Sequence, residues 1–145
     1  MTTMQSIDHE IDATEIGWLL TKRASAMVAM DADYLVSRFA PGSSTFDLTP
    51  PLNGHGSAAT DANGLRDWFA GFEDSIEYAI RDLAITVGGD VAFAHSIERF
   101  SARPIGGRRF EIWLRVTTGL RRTGGRWLIT HEHRSTPSEP VQLMT

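Results

Sequence analysis

The stretch Arg126-Trp-Leu-Ile-Thr-His-Glu-His-Arg-Ser-Thr-Pro137 decides how the rest of the chain is read. It has the make-up of a β-strand interrupted by four ionisable side chains. Successive side chains of a strand point to opposite faces. Strict alternation therefore puts Trp127, Ile129, His131, His133 and Ser135 on one face, and Leu128, Thr130, Glu132 and Arg134 on the other. A core strand needs no such run of charge, so the stretch reads both as a closing strand and as part of a pocket.

Working backwards, Thr123-Gly-Gly-Arg126 is a tight turn joining this strand to a long one, Arg108 to Arg122. Pro104-Ile-Gly-Gly107 turns again from a strand over Val91 to Ala102, and Gly88-Gly89-Asp90 from one beginning at Ile76. In that first long strand Ile76, Tyr78 and Ile80 alternate, then Leu83, Ile85 and Val87 resume out of phase. The slip predicts a bulge at Arg81-Asp82. Ser44 to Leu48 reads as a short strand closed by Pro50-Pro51, and Leu52 to Ala59 as a loop.

The upstream half is helical. Ile7 to Met30 carries Ile11, Ile16, Trp18, Leu20, Ala24, Met27 and Val28 at helical spacing, with Asp12, Glu15, Lys22 and Arg23 mostly off that stripe. Asp31 is placed to cap a short helix to Phe39, ended by Pro41-Gly42. Thr60 or Asp61 is placed to cap another reaching about Gly71. Helices followed by an antiparallel meander give an α+β domain, with helices covering one face of a curved sheet. One domain is expected over residues 1–137, with 138–145 a loose polar tail.

Composition excludes several function classes. A chain of 145 residues with 41% hydrophobic and 22% charged residues suits one globular core. The net charge of −4 offers no basic surface for nucleic acid or an anionic membrane. There are no cysteines, which removes disulfides, thiolate metal sites and a cysteine nucleophile. No signal-peptide pattern and no apolar run near the ~20 residues of a membrane span are present, so a cytoplasmic location is expected. Of 14 basic residues only Lys22 is lysine; arginine suits paired or pocket sites, because its planar fork grips a carboxylate at two points.

The element order and several motifs resemble the nuclear transport factor 2-like superfamily, and within it the ketosteroid isomerase homologues and SnoaL-like small proteins. The resemblance rests on Ala40-Pro-Gly-Ser-Ser-Thr-Phe-Asp47 with Pro50-Pro51, on Trp68-Phe69 and on Gly89-Asp-Val-Ala-Phe-Ala94. It rests further on Arg115-Val-Thr117 and Gly125-Arg-Trp127, and most on His131-Glu-His-Arg-Ser-Thr-Pro137, which also resembles the end of the calcium/calmodulin-dependent kinase association domain. It implies a cone: a strongly bent sheet wrapped on helices, with a pocket between them and dimerisation through the outer sheet face.

The resemblance places Asp47 where ketosteroid isomerase keeps its general base. A carboxylate at the mouth of an apolar cone is suited to taking a proton from a carbon acid. It also aligns the isomerase's two hydrogen-bond donors with positions near Arg23 and Thr117, and neither donor is present, which argues against ketosteroid isomerisation. For the long strand the two signals conflict. Hydrophobicity turns Phe110, Ile112, Leu114, Val116, Thr118 and Leu120 inward. The resemblance turns Arg115 and Thr117 inward and leaves the apolar face for a dimer contact. The second reading is adopted. With Arg122 opposite Trp127, Arg115 then faces Arg134 and Thr117 faces Glu132.

The expected pocket holds Asp47 as catalytic base, with Glu98, Arg115, Thr117, Glu132, Arg134, Trp68 and Trp113 around a small ligand, acidic or carbonyl-containing. The charges either pair off to satisfy burial, as Glu98 with Arg115 and Glu132 with Arg134, or leave one arginine free for a ligand oxygen. His95, His131 and His133 invite a metal site, but strand histidines are more often packed side chains, and the resemblance implies a metal-free protein with no cofactor. Ser135 is too poorly placed beside His133 to be a nucleophile. Three functions stay open: proton-transfer chemistry on a carbonyl compound, non-catalytic ligand binding or assembly, and a scaffold, which would have no enclosed cavity.

Overall fold

The computed structural model describes residues 3–49, 52 and 60–137. The turn at Pro50-Pro51, the loop to Ala59 with His55 (Leu52 apart) and the tail at 138–145 lie outside the described residues. Along the chain come α1 (Thr3–Ala29), α2 (Ala32–Ser37), β1 (Phe39–Phe46) and α3 (Ala62–Phe69). The meander follows, β2 (Phe72–Gly88), β3 (Val91–Pro104), β4 (Phe110–Thr123) and β5 (Arg126–Ser135).

Local chemistry sets these boundaries. Met30 adopts a left-handed backbone (φ +55°), and the Asp31 amide donates back to the Ala26 carbonyl at 2.8 Å, closing α1. The Asp31 carboxylate accepts from the Tyr34 amide at 3.1 Å and starts α2, while Asp61 accepts from the Asn63 amide and starts α3. Asp31→Ala is expected to lower stability by about 1 kcal/mol in urea unfolding, through loss of that cap.

The sheet order is β1-β5-β4-β3-β2, with β2 to β5 antiparallel and β1 parallel to β5. The sheet is curled and unclosed, an α+β architecture with the helices on its concave side. Gly124 and Gly125 both take positive φ in the last turn, as a two-residue hairpin loop requires. The break in β2 after Arg81 is present, with Asp82 at φ +56°, and a second lies between Glu73 and Glu77. These irregularities bend the strand.

Four sequence expectations are corrected. β1 begins at Phe39 and runs through Pro41-Gly42 instead of being preceded by a break there. The register with β5 skips between Phe39 and Ser44, and β1 is an edge strand, where a proline is tolerated. α1 has two apolar faces, not one: Ile16, Leu19, Leu20 and Ala26 are buried, while Ile11, Trp18 and Val28 are exposed. Asp12, placed off the apolar stripe, is nevertheless buried, accepting from Arg122 at 2.6 Å and from the Trp127 indole at 3.2 Å.

The fourth correction decides the site. Arg122 does pair with Trp127, but Leu120 pairs with Ile129 and Gly119 with His131, so Thr130 is an extra residue in β5. One extra residue reverses the faces beyond it. Trp127 and Ile129 are therefore buried on the same side as Glu132, and Val116 stands opposite Arg134 and Thr118 opposite Glu132. The apolar face of β4 points inward through Leu114, Val116, Thr118 and Leu120. Arg115, Thr117 and Trp113 point outward.

Candidate functional site

Burying α1 on the curled sheet leaves a cavity of about 420 Å³ between the helices and the strands. Its walls are mainly apolar: Met27 from α1, Leu35 from α2, Leu65 and Trp68 from α3. The sheet adds Phe39, Phe72, Phe100, Phe110, Ile112 and Leu114. Trp68 stacks on Phe100, ring centres 5.6 Å apart, and meets Phe72 edge-on. Such a wall offers aromatic faces and edges and few polar groups.

The polar end of the cavity is built on Glu132. Arg23 reaches from α1 to grip its carboxylate with both terminal nitrogens, at 2.6 and 3.1 Å. Arg134 donates to Oε1 from Nε at 3.2 Å and Nη2 at 3.0 Å. The Thr118 hydroxyl adds a further bond to Oε2 at 3.1 Å. Burial alone would push this carboxyl up, but Arg23 and Arg134 outweigh it and hold Glu132 well below the usual carboxylate range. Burial likewise works against the charge on Arg23, and Glu132 overcomes it. For Arg134 the Tyr78 oxygen, Glu132 and Glu98 together do the same.

Tyr78, on the inward phase of β2, links this pair to a second carboxylate. Its oxygen accepts from Arg134 Nη1 at 2.7 Å and its hydroxyl donates to Glu98. Glu98 also accepts from the Ser96 hydroxyl at 2.8 Å. Burial pushes the Tyr78 hydroxyl up, Arg134 draws it down and Glu98 raises it again, leaving it well above the ordinary phenol range. Glu98 sits behind the main cavity, beside a separate void of about 20 Å³ shared with Arg23, Tyr78 and Arg134. Two arginines and two glutamates leave the cluster formally neutral, and its geometry is fixed by mutual bonds.

Of the residues expected from the sequence, Asp47, Trp68, Glu132 and Arg134 line the cavity, and Glu98 is one layer behind. Asp47 is exposed at the end of β1, where one carboxylate oxygen accepts from the Leu48 amide at 2.8 Å. Arg115, Thr117 and Trp113 are on the opposite face of the sheet, so no Glu98–Arg115 pair forms; Arg115 stands beside Ile97 and Ser135. Trp113 donates to Glu111 at 2.8 Å and lies under the Arg81 guanidinium. His131 and His133 flank the Phe46 ring on that outer face, His131 hydrogen-bonded to Ser44 at 2.8 Å. His95 is exposed, and among the described residues no three His, Cys, Asp or Glu side chains gather to hold a metal.

Arg23 and Tyr78 were missed as site residues. Tyr78 was legible, since it alternates with Ile76 and Ile80 and shares their phase. Arg23 sits where the tyrosine of the isomerase motif aligned, and it is one turn past the buried pair Leu19 and Leu20. Its spacing of seven, four and three residues from Ile16, Leu19 and Leu20 is the signal that sets it apart from Lys22 as the inward cation.

Residues 16–139 match the model of the SnoaL-like domain. Solved structures share the fold. An NTF2-like protein of unknown function from Pseudomonas putida KT2440 is 24% identical, with 87% of each chain covered and a TM-score of 0.73. A candidate dehydratase of the NTF2-like family from Streptomyces avermitilis is 22% identical over 90% of this chain and 99% of its own, TM-score 0.73. The association domain of CaMKII from C. elegans is 15% identical over 89% and 98%, TM-score 0.65. No curated protein matches the chain. Among the described residues, no helix is long and apolar enough to cross a membrane.

Proposed function

The chain belongs to the SnoaL-like domain family, and from that premise we propose that it binds a small, flat carbonyl compound and moves a proton on it, as an isomerase, cyclase or dehydratase does. The observation that carries the reading is the asymmetry of the cavity, apolar along its walls, with a rigid charged cluster inside and Asp47 free of any cationic partner among the described residues at its rim. Asp47 takes the proton as the C–H bond next to the carbonyl breaks, and the electron pair moves onto the carbonyl oxygen. Arg134 meets that oxygen. Three of its five N–H groups are used on Glu132 and Tyr78, and the other two are the donors. Arg115, on the outer face, has no part in this.

The protein acts without a cofactor in the cytoplasm, as a homodimer through the outer face of the sheet, where Phe93 and Trp113 are exposed. The test is exchange of carbon-bound protons for deuterium in a panel of small cyclic carbonyl compounds, followed by NMR. Wild type accelerates exchange, and Asp47→Asn lowers the rate about a hundredfold while ligand quenching of Trp68 fluorescence persists. Quenching without exchange by wild type would instead make the domain a non-catalytic binder.

A further inference from the structure

The outer face of α1 carries a pattern that neither the core nor the cavity uses. Met4, Ile7, Ile11 and Trp18, with Val28, are all exposed, Trp18 by 73%. Thr14, Thr21 and Ser25 are exposed as well and complete the row. The steps along it are 3, 4, 3, 4, 3, 4 and 3, from residue 4 to residue 28. That is the 3.5-residue repeat with which one helix meets another along a seam. The core side of α1, Ile16, Leu19, Leu20 and Ala26, falls between those positions and is fully engaged with the sheet.

The order of residues in the row says what covers it. When two copies of α1 run antiparallel, positions whose numbers sum to 32 meet in the same layer. Met4 then meets Val28, Ile7 meets Ser25, Ile11 meets Thr21, and Trp18 meets Thr14. Each layer sets a larger side chain against a smaller one, which is how facing rows interdigitate without voids. Thr14 already spends its hydroxyl on the Glu10 carbonyl at 2.9 Å, so it offers Trp18 chiefly its methyl group. Along one flank Asp8 of each copy meets Lys22 of the other, two opposite-charge contacts against one like-charge meeting of Glu15 with Glu15 at the axis. A parallel arrangement instead stacks Trp18 on Trp18 and puts Glu10 against Glu15 on both sides.

We propose that this face is an interface with a second copy of the chain, the two α1 helices packing antiparallel about a twofold axis beside Glu15 and Gly17. The contact is isologous, so one surface serves both copies. It is separate from the sheet-face dimer proposed above, which lies on the strands around Phe93 and Trp113. A chain that makes both contacts assembles beyond a dimer.

The absence of cysteine makes a direct test possible. In the double variant Ile7→Cys/Ser25→Cys the two thiols of one copy are roughly 27 Å apart along the helix and cannot bridge each other. Antiparallel pairing brings each against its counterpart in the second copy. With oxidised glutathione, the double variant is expected to form a covalent dimer about tenfold faster than either single variant, because pairing raises the local thiol concentration. Adding Trp18→Ser should cancel the advantage, with the circular dichroism spectrum unchanged. Equal rates for double and single variants, single variants faster than the double, or a Trp18→Ser change without effect would each overturn the proposal.

Discussion

Glu132→Gln is expected to destabilise the protein by about 3–5 kcal/mol in urea unfolding, the loss that follows when one partner of a buried charge cluster is removed. The variant keeps the size of the side chain but strips the charge that faces both Arg23 and Arg134. Two cations then share a water-poor space with only Glu98, 3.7 Å from Arg134, in opposition. Arg134→Met should cost less than Glu132→Gln, because Glu132 keeps the two-point grip of Arg23. A Glu132→Gln loss no larger than that of Arg134→Met would mean that Glu132 is not the charge that centres the cluster.

The same carboxylate sets an acid dependence with a defined sign. The folded-state pKa of Glu132 is depressed below its ordinary value of 4.5, so the unfolded chain binds the proton more readily. Its contribution is fully present above the ordinary carboxylate range. It declines as the pH falls below that range and is exhausted only in strong acid. In Glu132→Gln this part of the acid sensitivity is absent, so the gap between variant and wild type narrows as pH falls from 5 towards 2.

The fold was legible because its signals are local. Glycines at Gly89 and Gly124-Gly125 mark hairpins, Asp31 and Asp61 mark helix starts, and the phase slip at Arg81-Asp82 marks a bend. Each states its structural consequence within a few residues. The site depends instead on parity counted along strands, and parity is lost at any inserted residue. Thr130 carries no mark of an insertion, being neither glycine nor a residue at positive φ. The inward choice of Glu132 and Arg134 agrees with the structure, but the alternation behind it also sent Trp127 and Ile129 outward. Arg115 and Thr117 were turned inward by resemblance against the hydrophobic pattern, and the pattern was the better guide. Leu114, Val116 and Leu120, three buried apolar residues on that face of β4, bury more surface than an inward Arg115 could offset.

The bulge has its own test in Trp127. Its side chain is 2% exposed, packed in the cluster of Ile16, Leu19, Leu20, Leu120 and Ile129, with the Arg122 guanidinium 5.0 Å from the ring centre. Trp127→Ala is expected to lower stability by about 3–5 kcal/mol, since a large cavity opens where sheet and helix are both rigid. Trp127→Phe retains most of the ring and loses only the indole bond to Asp12, which Arg122 still satisfies at 2.6 Å. Its loss should be roughly 1 kcal/mol from that bond and a little more from the missing ring volume. Uninterrupted alternation in β5 would put Trp127 on the face opposite Glu132, in reach of solvent, where the alanine change is worth within about 0.5 kcal/mol. A small effect for Trp127→Ala together with a large one for Glu132→Gln would therefore remove the bulge at Thr130. Two large effects place both side chains inside, on one face of a strand where strict alternation forbids it, and that requires the extra residue.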